Sequence, residues 1–217
     1  RIGCWHDVCC EVLQAVSVGT VKNLSSQYIY THALQGVDAH PGQILVHSPQ
    51  KKYQEREKGY RMNHIGTREI ATERLTLRRF EIEDAENMFY NWANDPEVTK
   101  YLTWPAHESV DTTETILKEW ISKYDEKDFY QWAIELNDLE QPIGTISVIK
   151  TDERVESVEI GYCIGKRFWN NGYMTEALTA IIRFFINEVG AGRVWARHDT
   201  ENPNSGKVMA AAGHGDA

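Results

Sequence analysis

The segment Glu159-Ile160-Gly161-Tyr162-Cys163-Ile164 runs through Gly165–Trp169 into Asn170-Asn171-Gly172-Tyr173-Met174-Thr175-Glu176-Ala177. It reads as a strand, a short loop and a helix that opens on glycine. The first amides of such a helix have no intrahelical partner and carry the positive end of the dipole, so they can hold a phosphate. Gly172 lets the backbone approach a ligand with no side chain in the way. The same residues also suit a plain strand-to-helix connection that needs glycine for its geometry, and the segment alone leaves both readings open. Further along, Asn202-Pro203-Asn204-Ser205 opens another helix, which Asn202 or Asn204 can cap. Glu159 faces away from Ile160, Tyr162 and Ile164, beside Gly161. It can take a proton through one water, or be a solvated strand carboxylate.

The elements that would position these residues follow from periodicity. Arg74–Phe80 alternates like a half-buried strand. Glu83–Ala93 has helical spacing through Ala85, Met88, Phe89 and Trp92, and Asp95-Pro96 breaks it. A second helix is expected over Thr112–Tyr124, with Ile116, Leu117, Trp120 and Ile121 as its apolar stripe. Strands are expected at Phe129–Leu136, Ile143–Ile149 and Val155–Ile164, forming an antiparallel meander. The longest amphipathic helix runs from Tyr173 to about Val189, with Met174, Ala177, Leu178, Ile181, Ile182, Phe185 and Val189 inward. Gly190 stops it. Arg193–His198 reads as a strand and Asn202–Ala212 as a helix. The order β-α-α-β-β-β-α-β-α predicts a mixed α/β (α+β) domain, with helices packed on a mostly antiparallel sheet.

The wording "EIGYCI…FWNNGYMTEAL", with "ATERLTLRRFEIEDAENMF" before it and "NPNSGKVMAAAG" after it, resembles the GNAT superfamily of acetyl-CoA-dependent N-acetyltransferases. The likeness is to the RimJ/RimL-like protein N-terminal acetyltransferases and covers about two-thirds of the chain in the family's order. It implies that the pantetheine arm pairs with the strand backbone at Tyr162, Cys163 and Ile164. It also implies a pyrophosphate loop at Trp169, Asn170, Asn171, Gly172, Tyr173 and Met174, with the Thr175 hydroxyl beside the phosphates. Trp169 stands where the superfamily has Gln or Arg, and Met174 where it has Gly or Ala. By the same resemblance, Asn202 meets the pantetheine amides and Ser205 lies near the thioester sulfur.

Acetyl transfer needs a neutral amine, a polarised carbonyl and a thiolate able to leave. A protein α-amine has a pKa of about 7.7–8.0, against about 10.4 for lysine, so a carboxylate acting through water suffices for it. Glu159 is the expected base, and Ser205 or water the expected proton donor. Direct attack needs no covalent enzyme intermediate, so Cys163 reads as a buried strand residue. Among the aromatics Trp92, Tyr101, Trp104, Trp120, Tyr130 and Trp132, mostly core, Trp104-Pro105 is the expected acceptor contact. The expected acceptor is a protein N-terminal α-amine. An aminoglycoside or polyamine acceptor, and a non-catalytic acyl-CoA-binding remnant, are the alternatives.

Residues 1–61 hold 7 Lys/Arg against 5 Asp/Glu, and residues 62–217 hold 16 against 27, so the domain is strongly acidic. That field disfavours nucleic acid and suits a basic peptide or polyamine, although acidity often serves solubility alone. Cys4, Cys9 and Cys10 crowd around His6 without a zinc-like spacing, so no metal is expected. The absence of a long apolar run or a signal-peptide pattern predicts no membrane partner and a cytoplasmic location. Residues 1–61 lack sustained periodicity; Val12–Val21 and Ile44–His47 could each form a short element without an evident partner. Glu57-Lys58-Gly59 requires a purine-rich codon run just ahead of Met62. Residues 1–61 are therefore expected to be a disordered or non-native extension of a domain spanning 62–217. The family continues past "MAAAG" with a Gly-aromatic turn and two strands, whereas this text reads His214-Gly215-Asp216-Ala217. A C-terminally truncated domain is expected, with Arg193–His198 as an exposed edge and its activity open.

Overall fold

A computed structural model describes residues 43–47 and 61–213. The cysteine cluster at Cys4, Cys9 and Cys10, the stretch Val12–Val21, Glu57-Lys58-Gly59 and His214–Ala217 lie outside the described residues.

Seven strands form one sheet in the order β1-β7-β6-β5-β4-β3-β2. They are β1 (Gln43–His47), β2 (Ile70–Ala71), β3 (Leu75–Arg78), β4 (Gln131–Leu136), β5 (Gln141–Asp152), β6 (Ser157–Ile164) and β7 (Arg193–Arg197). All neighbours pair antiparallel except β6 and β7. The expected meander is β4-β5-β6, with β5 three residues longer at its end than its apolar run indicated. Its polar tail, Lys150–Asp152, pairs with Ser157–Glu159 across a bulge, so ladder hydrogen bonds extend the hairpin where hydropathy gives no signal.

Helices cover both faces. On one lie α4 (Tyr173–Phe184) and α5 (Pro203–Gly213). Against them pack Leu75, Leu77, Tyr130, Trp132, Ile134, Ile146, Val158 and Ile160. The Trp132 ring meets Phe184 edge-on at 5.7 Å, and Tyr130 meets Phe185 at 4.9 Å. Each such buried ring contributes roughly 1.5–3 kcal/mol. A π-turn over Phe185–Val189 continues α4. Its extra residue per turn shifts the phase of the stripe, so Phe184 and Phe185 are both buried while Ile182 is only half-buried.

On the opposite face lie α1 (Ala85–Met88), α2 (Pro96–Thr99) and α3 (Val110–Ser122). Phe80, Met88, Trp92, Val98, Leu117, Ala133 and Cys163 form the second core there. The helix expected over Glu83–Ala93 is a 3-10 turn, α1 and a π-turn in succession. Asp95-Pro96 both breaks it and starts α2, because the Asp95 side chain accepts from Glu97 N and proline sits at the first helical position. On α3 the inward residues are Thr113, Leu117 and Trp120, with Tyr124 buried just past its end, whereas Ile121 is exposed. The expected stripe was thus one residue out of phase at its end.

The largest difference concerns Gln43–His47. This stretch pairs antiparallel with β7 from Gln43↔Arg197 to His47↔Arg193. The strand expected to lie outside the domain therefore belongs to its sheet, and β7 is not the exposed edge that the sequence implied.

Candidate active site

The parallel ladder between β6 and β7 pairs Ser157, Val158 and Glu159 with Arg193, Val194 and Trp195, and stops there. Strand β6 runs on to Ile164, so Ile160–Ile164 separate from β7 and a gap opens in the sheet. A cavity of about 460 Å³ fills this gap. Its walls come from the free end of β6, the turn before α4, the start of α5 and the end of β7.

Along β6 the side chains alternate between the faces. Val158, Ile160, Tyr162 and Ile164 face α4 and α5, while Cys163 joins the opposite core. Glu159 and Gly161 share the Cys163 face, as the period-2 reading expected. The turn into α4 takes its shape from two left-handed residues, Asn170 at φ 62° and Gly172 at φ 79°. Asparagine tolerates that region and glycine adopts it freely. The Asn171 side chain donates to the carbonyls of Phe168 and Trp169, closing the loop on itself. Gly172 is the N-cap of α4 and no side chain caps the helix. The first-turn amides are thus left to an anion, which is what a pyrophosphate requires.

Tyr162, Cys163, Ile164, Trp169, Asn170, Gly172, Tyr173, Met174, Thr175, Asn202 and Ser205, all singled out in the sequence, line the cavity. Two expected residues do not line it. Asn171 is spent inside the loop. Glu159 is 4% exposed and accepts from Arg197 Nε at 2.6 Å, so it is a buried ion-paired carboxylate and not a solvated one. Trp169 Nε1 donates to Ile164 O at 2.8 Å, tying the loop to the end of β6. Asn202 Oδ1 accepts from Ser205 N at 3.3 Å, so Asn202 caps α5 and lines the cavity at once.

The Tyr162 hydroxyl lies 2.9 Å from Ser205 Oγ and donates to Ser205 O at 3.2 Å. Burial pushes the Tyr162 phenol up to about 12, with the Ser205 hydrogen bond opposing, so it keeps its proton at neutral pH. Burial likewise pushes the Cys163 thiol up to about 12, and Cys163 is free and buried. It is a core residue and not a nucleophile.

Several side chains that the sequence reading passed over hold the site together. Glu176, in the first turn of α4, accepts from Thr72 Oγ1 at 2.7 Å, Arg74 N at 2.9 Å and Arg74 Nε at 2.7 Å. Burial opposes its charge, yet these donors hold its carboxyl below the usual range. Arg74 also donates to Asn171 O at 3.0 Å and lies over the Tyr173 ring, so the residue just ahead of β3 braces the loop from outside. Across the cavity, α2 and the chain after it form a strap. Glu97 pairs with Lys166 at 2.6 Å, and Tyr101 donates to Glu201 O at 3.1 Å. Trp104 packs against the second core beside His107 at 5.2 Å and does not line the cavity. Tyr101 does. Only pairing across 97 to 102 positions would reveal the Tyr101 and Arg74 contacts, and no local motif carries that information.

Among the described residues there is no group of His, Cys, Asp and Glu able to hold a metal, and no helix long and apolar enough to cross a membrane.

Residues 74–214 match the acetyltransferase (GNAT) domain family. Over 140 residues the chain is 31% identical to the uncharacterized N-acetyltransferase YoaA of Bacillus subtilis (strain 168), covering 64% of this chain and 78% of that protein. Over 132 residues it is 29% identical to the putative ribosomal N-acetyltransferase YdaF of the same organism, covering 56% and 67%. It superposes on the GNAT-family acetyltransferase of Bacillus anthracis with a TM-score of 0.59 at 25% identity, covering 67% of this chain and 82% of the other. With β3 through α5 inside the matched region and a helix-start anion turn beside a split sheet, the chain belongs to the GNAT acetyltransferases, acyl-CoA N-acyltransferases by family and fold.

Proposed function

We propose that this protein transfers acetyl from acetyl-CoA to the α-amine of a protein N-terminus. The observation that carries the reading is the single cavity that joins the uncapped turn of α4 to the Tyr162–Ser205 hydroxyl pair through the gap between β6 and β7. The amides at Gly172–Thr175 would take the pyrophosphate, and the open edge of β6 at Tyr162–Ile164 would take the pantetheine amides. Asn202 would add a polar contact. Bound acetyl-CoA supplies the thioester whose carbon accepts the amine nitrogen.

Glu159 lies on the opposite face of β6 from Tyr162. In this reading it receives the proton of the attacking amine through a water, with Arg197 holding the carboxylate in place. As the C–N bond forms and the C–S bond breaks, the leaving thiolate takes a proton from the Tyr162 hydroxyl, which Ser205 orients. The two protons thus move on opposite sides of the strand, and no covalent enzyme intermediate is needed. The α-amine acceptor is supported by the ribosomal acetyltransferase name of YdaF, and it needs less deprotonation than a lysine. A ribosomal acceptor goes with a cytoplasmic location.

The test is twofold. Calorimetric titration of acetyl-CoA should give saturable binding that Gly172→Ala weakens. Mass spectrometry of a peptide pool incubated with acetyl-CoA should show acetyl on α-amines and not on lysine side chains. Acetyl found only on aminoglycosides or polyamines overturns the protein-acceptor reading, and absence of cofactor binding overturns the whole.

A further inference from the structure

The face of the sheet away from α4 carries groups that the reaction above does not fully use. Glu159, Trp195 and Arg197 share that face, because parallel-paired residues point the same way and Arg197 reaches Glu159 directly. Ile149 lies there too. Its Cδ1 sits 2.6 Å from where a Gly161 Cβ would be, so only glycine lets it fold across β6. Ile149 is 60% exposed, and Trp195 is half-buried with the Arg197 guanidinium 5.7 Å from its ring. The result is an apolar ledge with one ion pair at its centre.

The two partners of that pair differ in what they leave available. The Glu159 side chain is 5% exposed and the Arg197 side chain 63% exposed. Arg197 spends Nε on Glu159, and its two Nη groups have no partner among the described residues. A guanidinium presents five donors in a planar fork suited to carboxylates. Arg197 lines the same cavity as Tyr162 and Ser205. An acceptor amine placed near Glu159 would therefore put its next residue within reach of an open guanidinium edge.

We infer that Arg197 is an anion subsite that selects acceptor peptides carrying a carboxylate side chain at the residue after the N-terminal one. This rests on the peptide α-amine reading above and names the substrate class within it. The domain's net acidity points the other way, toward basic peptides. That field acts at long range, where salt screens it beyond about 8 Å, whereas a guanidinium–carboxylate contact on an apolar ledge is screened much less. The two considerations predict opposite rank orders, so one comparison separates them.

The experiment measures kcat/KM with acetyl-CoA for three C-terminally amidated peptides, Ala-Glu, Ala-Gln and Ala-Lys followed by the same neutral sequence. The wild-type protein should favour the Glu peptide over the Gln peptide by about threefold, the size expected of a pair whose guanidinium is 63% exposed, and disfavour the Lys peptide. In Arg197→Gln the Glu-to-Gln ratio should fall to about one, while Arg197→Lys keeps part of it. Using the ratio within each variant cancels any general loss from leaving Glu159 unpaired. Calorimetric titration of the Glu and Gln peptides in the presence of CoA should show the same preference in binding. Equal wild-type rates on Glu and Gln peptides, or a preference for the Lys peptide, overturn the inference and leave the peptide-acceptor reading standing. Transfer to none of the three overturns that reading and the inference with it.

Discussion

Arg197 on β7 donates its Nε to Glu159 on β6 across 2.6 Å, reaching back from two positions past Trp195, the partner of Glu159 in the last pair of the parallel ladder. The bond spans the point where the sheet splits. It places a buried carboxylate at the apex of the gap and keeps its charge compensated there, without which burial of that carboxylate would be costly.

Glu159→Gln keeps the shape of the side chain and removes the base. The expected result is a fall in kcat/KM toward the amine of about 10²-fold or more, with acetyl-CoA affinity changed by less than about threefold, because the residue does not line the cofactor cavity. Steady-state kinetics and calorimetry on the same preparation check this. Unchanged kcat/KM would remove Glu159 from the reaction.

Tyr162→Phe deletes a hydroxyl whose pKa of about 12 leaves it protonated throughout the assay range. The expected loss is about 10²-fold in kcat, with a smaller loss for Ser205→Ala, which leaves the phenol in place. A kcat within twofold of wild type for Tyr162→Phe would assign the departing proton to water.

Gly172→Ala forces a Cβ onto a residue at φ 79°. Strain of about 1–2 kcal/mol is expected in the turn, seen as a lower Tm by differential scanning calorimetry and a weaker acetyl-CoA Kd. Normal affinity with normal stability would mean that this turn does not hold the pyrophosphate.

Arg74→Ala removes the brace on Glu176 and on the Asn171 carbonyl. Arg74 is 42% exposed on its side chain, so a stability loss of only about 1 kcal/mol is expected. The pH dependence carries a sign. The Glu176 carboxyl is held below its unfolded value, so its contribution is complete above the ordinary glutamate pKa of about 4.3 and is lost as pH falls through the depressed folded value. Denaturant melts across the acid range should show a shallower acid loss in Arg74→Ala than in wild type. Parallel curves would show that the pair adds nothing to acid stability.

A version beginning at Met62 lacks β1 and uncovers the five positions of β7 that it pairs with. Exposed strand edges recruit other strands, so a lower Tm and concentration-dependent self-association in analytical ultracentrifugation are expected. A monomer with an unchanged Tm would show that β1 is not needed to cover β7.

What could be read from the sequence was whatever one element encodes by itself. The inward stripe of α4 from Met174 to Val189, the alternation of β6 and the turn at Asn170–Thr175 are local patterns, and the end of β6 with most of that turn lines the cavity. The end of α3 and the tail of β5 were misjudged for a related reason. Ile121 carries a hydrophobic side chain on the exposed side of α3, and Lys150–Asp152 form a strand through backbone bonds that hydropathy does not register.

The sequence by itself determined the order of elements and the turn that opens α4, because each is a local pattern, and the family, because its motifs follow one another in order along the chain. The tertiary structure alone decided the rest. It set Glu159 against Arg197, Tyr162 against Ser205, Arg74 against Glu176 and Gln43–His47 against β7. These partners lie between 38 and 154 positions apart in the chain, and a charge or hydroxyl carries no label for a distant mate. Packing of two helical layers on a split sheet chooses those mates, since each buried polar group must find its partner wherever the fold brings one.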